Sequence, residues 1–97
     1  MRYDIVLAPE ADEDRKRLDA HIRAKVRDAI DTHLRYEPMK TSKSRIKRLR
    51  GVRRPQYRLR VDEIRVFYDV SGSTVEILAM VAKSHAASWL ASLGDSE

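Results

Sequence analysis

Apolar positions change rhythm several times along this chain. Over residues 2–8 (RYDIVLA) they run close together and predict a strand. Pro9 then suits the first turn of a helix, and Glu10, Asp12, Glu13 and Asp14 suit its positive N-terminal end. That first helix is short and weakly amphipathic. Leu18, Ile22, Val26, Ala29, Ile30, His33 and Leu34 recur at three- and four-residue steps. They form one apolar stripe on a helix over 18–36, which Pro38 closes. The tight connection Leu18-Asp19-Ala20 makes the two segments a helical hairpin.

Residues 38–46 are polar and read as a loop. A short strand over 47–50 ends at Gly51, and Val52-Arg53-Arg54-Pro55 is turn-like. Residues 56–61, 64–70 and 75–83 are rich in Val, Ile and Tyr and predict three further strands. They are separated only by Asp62-Glu63 and by 71–74, connections short enough to require antiparallel neighbours. Ser84 suits a helix N-cap. Residues 85–93 predict a last helix with Trp89, Leu90 and Leu93 on one side, stopped by Gly94. The order β-α-α-β-β-β-β-α is that of an α+β fold, an antiparallel four- to five-stranded sheet with the helices on one face. A chain of 97 residues has room for one core, so 1–97 is read as a single domain.

Side chains alternate faces along a strand, which makes the register informative. A two-residue turn at Asp62-Glu63 pairs Val61 with Ile64, Arg60 with Arg65 and Arg58 with Phe67. Arg58, Arg60 and Arg65 then share one face, while Tyr57, Leu59, Val66 and Tyr68 lie on the other, beneath the helices. Carried on through Gly72-Ser73, the same register sets Met80 opposite Arg65. It also puts Leu78 and Ala82 on the arginine face and brings His85 out near it. Two like charges directly opposite repel by roughly a few tenths to 1 kcal/mol, a penalty that a bridging anion removes. Arginine is also suited to bidentate phosphate contacts.

Charge sharpens this reading. The net charge is +5, yet residues 1–39 carry a net of −1, residues 40–65 a net of +9 and residues 66–97 a net of −3. One central block therefore holds the whole excess, the footprint of a polyanion partner. The chain has no cysteine, which excludes disulfides, thiolate metal sites and a cysteine nucleophile. His21, His33 and His85 show no metal-ligand spacing. No segment approaches the roughly 20 apolar residues of a membrane span, and the N-terminus lacks a signal-peptide stretch. No cofactor, metal or membrane is implied, and the cytoplasm is expected.

Three stretches carry a resemblance: Lys47-Arg48-Leu49-Arg50-Gly51, Tyr57-Arg58-Leu59-Arg60-Val61, and Ile64-Arg65-Val66-Phe67-Tyr68-Asp69-Val70. With Val75-Glu76-Ile77-Leu78 and Val81-Ala82-Lys83 after them, they resemble the RelE/ParE toxin superfamily in order and spacing. The likeness covers most of the chain. It implies a RelE-like fold and the toxin of a type II toxin–antitoxin system. In its RelE-like form it implies a ribosome-dependent mRNA endoribonuclease, with a cognate antitoxin, the ribosome and mRNA as partners and a toxin–antitoxin hetero-oligomer. Arg58 and Arg65 match basic positions implicated in catalysis in that family, with Arg60 beside them. Lys47, Arg48, Arg50, Arg53, Arg54 and Lys83 are then candidate RNA-backbone contacts.

The chain also departs from the family pattern. Ser84 and Leu90 stand where an arginine and a tyrosine are expected, and Gln56 stands where a lysine is expected. His85 is left as the neutral-range acid or base near the predicted site. Trp89 either stacks a base or anchors its helix to the sheet, and the anchor is the more usual role. The missing groups keep open two alternatives: a ParE-like inhibitor of DNA gyrase, and a degenerate toxin that occupies the ribosome without cutting.

Overall fold

The computed structural model describes residues 1–93 together with 95 and 96. Strand β1 (Asp4–Leu7) leads into helices α1 (Pro9–Arg17) and α2 (Ala20–Ala29), the expected hairpin. Pro9 opens α1, and Glu10 and Asp12 occupy its first turn. Asp19 caps α2 by accepting a hydrogen bond from the Ile22 N–H at 3.0 Å. A π-helical turn, Ile30–Leu34, continues α2. It brings His33 to the side facing the polar loop, where the ring meets Arg45.

Five strands then follow: β2 (Ile46–Arg48), β3 (Val52–Arg54), β4 (Tyr57–Val61), β5 (Ile64–Ser71) and β6 (Thr74–Ala82). Helix α3 (Lys83–Leu93) and a two-residue strand β7 (Asp95–Ser96) close the chain. The main sheet has the order β1-β6-β5-β4-β2. Its α+β architecture is the expected one. The β2/β4, β4/β5 and β5/β6 pairs are antiparallel, and β1 runs parallel to β6. The parallel pair makes the sheet mixed rather than purely antiparallel: the helical hairpin carries the chain across the sheet between β1 and the β2–β6 strands. The segment 52–55, expected as a turn, contributes β3, which pairs with β7 rather than with its sequence neighbours.

The hairpin packs on one sheet face. Ala11, Val26, Ile30 and Leu34 meet Ile46, Leu59, Val61, Val66, Tyr68, Val75, Ile77 and Met80 in one buried cluster. Tyr68 is fully buried, and its hydroxyl donates to the Pro38 carbonyl at 2.5 Å. Burial, and next the neighbouring Tyr57, push its phenol above the usual tyrosine range. Beyond Leu7, no strand among the described residues lies on the outer side of β6. There Asp14 of α1 takes over, its carboxylate accepting the Met80 N–H at 2.9 Å.

Two expectations need correction. Helix α3 lies on the opposite face from the hairpin, so the helices do not all pack on one side. Phe67, which shares the face of Arg58, stacks against Trp89 with centroids 4.9 Å apart and planes at 7°. Trp89 is thus the anchor of α3. The helix also begins at Lys83, so Ser84 is inside its first turn rather than at its N-cap. The expected stop at Gly94 falls outside the described residues. No described helix is long and apolar enough to cross a membrane.

Candidate nucleic-acid interface

The β4/β5 register is the expected one: Tyr57 pairs with Tyr68, Arg58 with Phe67, Leu59 with Val66, Arg60 with Arg65 and Val61 with Ile64. Asp62 takes a positive φ of 51°, the first-position requirement of a II′ turn, which lets Asp62-Glu63 close the hairpin. Lys25 of α2 holds the Asp62 carboxylate at 2.9 Å, tying the turn to the hairpin. The Arg60 N–H donates away from β5, to the Arg45 carbonyl at 2.9 Å. Arg60 and Arg65 therefore form a non-hydrogen-bonded pair, whose Cα atoms approach to about 4.5 Å.

The three arginines on this face differ in setting. Arg60 is exposed and has no ion pair or side-chain hydrogen bond among the described residues. Arg65 is only 6% exposed, and its Nη1 donates to the Asp62 and Ile64 carbonyls at 2.8 and 3.1 Å. These neutral acceptors orient the guanidinium without cancelling its charge. Arg58 is half-buried beside Phe67, and its Nε has no hydrogen-bond partner. Burial, and then the charges of Arg65 and Arg60, hold its guanidinium below the ordinary arginine value. The register thus gathers three cations on one face, and the carboxylate close to them, Asp62 beside Arg60, is held by Lys25.

The β5/β6 register departs from expectation. Ser71 pairs with Thr74 and Tyr68 with Ile77, but Phe67 pairs with Ala79, so Leu78 is an extra residue in a bulge. Beyond it the register moves by one. Val81, not Met80, faces Arg65; Met80 joins the core; Ala82 pairs with Ile64 and leaves the arginine face. Leu78 stays beside Trp89, as both line one cavity.

The other candidate residues divide. Lys47 pairs with Arg58 and extends the cationic face by one strand. Arg48 turns to the opposite face, where its guanidinium lies 5.1 Å from the Tyr57 ring centroid. Arg50 and Arg53 are exposed around the β2–β3 connection. Arg54 faces two carboxylates, Asp69 at 2.7 Å and Glu76 at 3.0 Å. Lys83 is exposed at the start of α3, and its N–H donates to the Glu63 carbonyl at 2.7 Å. That bond sets the first turn of α3 beside the β4–β5 turn. His85 is exposed in that first turn, and its carbonyl accepts the Ser88 hydroxyl. Gln56 serves the fold, since its side-chain oxygen accepts the Val70 N–H while its own N–H donates to Asp69.

A second feature was not foreseen. Between α1, α2, β1 and β6 lies a groove of about 430 Å³, floored by Ile5, Leu7, Val26, Ile30 and Met80 and rimmed by Arg15, Arg23, Arg27 and Arg35, with Asp31 among them. The near-neutral charge of residues 1–39 hid this local concentration. The four-residue step from Arg23 to Arg27 was the available signal.

The model of the ParE toxin of type II toxin–antitoxin systems (parDE) matches residues 5–85. The chain belongs to the RelE/ParE toxin family. It is a toxin of the type II toxin–antitoxin class. No curated protein sequence matches it significantly. Among solved structures, this RelE/ParE member is similar to the RelE–RelB complex from Pyrococcus horikoshii OT3, with 23% identity, TM-score 0.70, and coverage of 86% of this chain and 97% of that one. It is also similar to the RelBE2 toxin–antitoxin complex from Mycobacterium tuberculosis, with 24% identity, TM-score 0.66, and coverage of 84% and 99%. A YoeB/ParE toxin from Agrobacterium tumefaciens matches at 24% identity and TM-score 0.65, covering 81% and 96%. These likenesses establish the fold.

Proposed function

We propose that this toxin is a ribosome-dependent mRNA endoribonuclease that blocks translation and is neutralised by a cognate antitoxin. The observation that carries the reading is the cluster of Arg58, Arg60 and Arg65 on one face, none of them in an ion pair among the described residues, with Lys47 extending it. Cleavage by the RNA's own 2′-hydroxyl needs a base for that proton, an acid for the leaving oxygen, and cations for the charge that builds on the phosphorane. Arg58, Arg60 and Arg65 supply the last, the requirement that preorganised charge meets best. His85, on the first turn of α3, is the candidate acid or base. Lys47, Arg50, Arg53 and Lys83 are candidate backbone contacts. Arg48 and Arg54 are weaker ones, because each is already engaged.

The antitoxin partner is supported by the RelB and YefM complexes of similar toxins. The apolar groove with its arginine rim suits an acidic, amphipathic segment that orders on binding. The assembly would be a toxin–antitoxin hetero-oligomer in the cytoplasm.

The test is to induce the wild type, Arg60→Ala and Arg65→Ala in bacteria lacking the antitoxin, and to map cuts in ribosome-bound mRNA. Loss of one stabilising cation is expected to slow cleavage by about 10²-fold. Arg60 is exposed, so its variant separates chemistry from folding. A second reading rests on the matching ParE model: a gyrase inhibitor that cuts no RNA. Growth arrest with gyrase–DNA cleavage complexes and intact mRNA would establish that reading. Arrest with neither lesion would mark a toxin that occupies the ribosome without cutting.

A further inference from the structure

We propose that His33 and Arg45 form a protonation-sensitive latch between the helical hairpin and the polar loop 40–45, closed while the His33 ring is neutral and opened when it takes up a proton. Arg45 Nη1 lies in a short hydrogen bond with His33 Nε2. A guanidinium has only donors, so Nε2 must accept and the neutral ring must carry its proton on Nδ1. A proton arriving on Nε2 removes the acceptor and sets two cations in contact.

The loop has little else to hold it to the hairpin. Ser42 Oγ accepts from the Arg45 and Ile46 N–H groups, and the Ser42 N–H donates to the Ile46 carbonyl, all within the loop and its junction with β2. Lys40, at the start of the loop, bonds Glu37 through both backbone and side chain, the ammonium at 3.5 Å. Beyond that, His33–Arg45 is the side-chain tie among the described residues. The charged groups around the His33 cleft are Glu37, Lys40 and Arg45. Glu37 is paired with Lys40, and Asp31 on the same helical turn is held by Arg35 at 2.9 Å, so either carboxylate would leave a cation to meet a protonated ring. The ring is half-buried, and burial, followed by the Arg45 charge, keeps its pKa below the ordinary histidine value. The neutral, closed form therefore prevails at neutral pH.

The latch reaches the sheet. The Arg45 carbonyl accepts the Arg60 N–H, and a shallow cleft joins Ser44 and Arg45 to Arg60 and Asp62. Opening it releases the Arg45 side chain beside that cleft. The proposal goes beyond the RNA-cleavage reading and does not depend on it.

Nuclear magnetic resonance of the whole chain tests it. The His33 ring and the Ser42, Arg45, Ile46 and Arg60 amides would be followed from about pH 8 to about pH 5, a range that brackets histidine titration. In the wild type, these amides are expected to shift with the ring's midpoint. Their exchange protection should fall about tenfold across it. In His33→Gln, whose amide oxygen still accepts from Arg45, they should stay still. In Arg45→Ala, the His33 midpoint should rise. Silent wild-type amides, equal shifts in His33→Gln, or an unmoved midpoint in Arg45→Ala would each overturn the latch.

Discussion

Arginines stand at both ends of the β4–β5 strand pair, in opposite electrostatic company. At the turn end, Arg60 faces Arg65 across the ladder, and the side-chain acceptors of Arg65 are main-chain carbonyls. At the far end, Arg54 meets Asp69 and Glu76, and Asp69 also takes the Gln56 N–H. The far end is a neutralised corner that fixes where β4 begins. The turn end keeps its charge. Like charges opposed on a sheet weaken it, so the turn end trades stability for an electric field. The sequence block of net +9 therefore does not act as one surface. On the proposed function, its RNA-facing part is the subset with no ion pair to a carboxylate among the described residues.

Substitutions can break this contrast. The largest expected effect is from Asp69→Ala, which strands the Gln56 N–H and removes one of the two carboxylates that Arg54 meets. Loss of such charge-assisted bonds is expected to lower stability by about 2–3 kcal/mol, read by urea denaturation, with RNA affinity of the folded fraction nearly unchanged. Arg60→Ala should do the reverse. Stability should hold or rise by a few tenths of a kcal/mol as the repulsion with Arg65 is relieved. The salt dependence of single-stranded RNA binding should lose about 0.7 from its log–log slope. If Arg60→Ala left that slope intact, the turn end would not be a phosphate site. The smallest effect belongs to Glu76→Gln. Its pair with Arg54 is solvent-exposed on both sides, so the change should stay within about 0.5 kcal/mol in the same denaturation experiment.

Much of this was legible beforehand, for identifiable reasons. The β4/β5 register followed from a two-residue turn and strict alternation in YRLRV and IRVFY, where a slip of one residue would have buried arginines under the helices. The β5/β6 register failed past Leu78 because a bulge depends on packing, here beside Trp89, and carries no local sequence mark. Trp89 was readable as an anchor, but not the face it anchors to, since a helix following a strand end can fold to either side. The partners of Arg54 were also out of reach, because Asp69 and Glu76 come from two later strands.

By itself the sequence determined the helices and the main-sheet strands, the shared face of Arg58, Arg60 and Arg65, the central concentration of charge and the family resemblance. Each follows from periodicities and spacings within a few residues, or from their order along the chain. Tertiary structure alone decided which cations keep their charge, which face α3 covers, and that His33 meets Arg45. Those outcomes depend on groups distant in sequence coming within a few ångströms, where charge, burial and hydrogen bonding act.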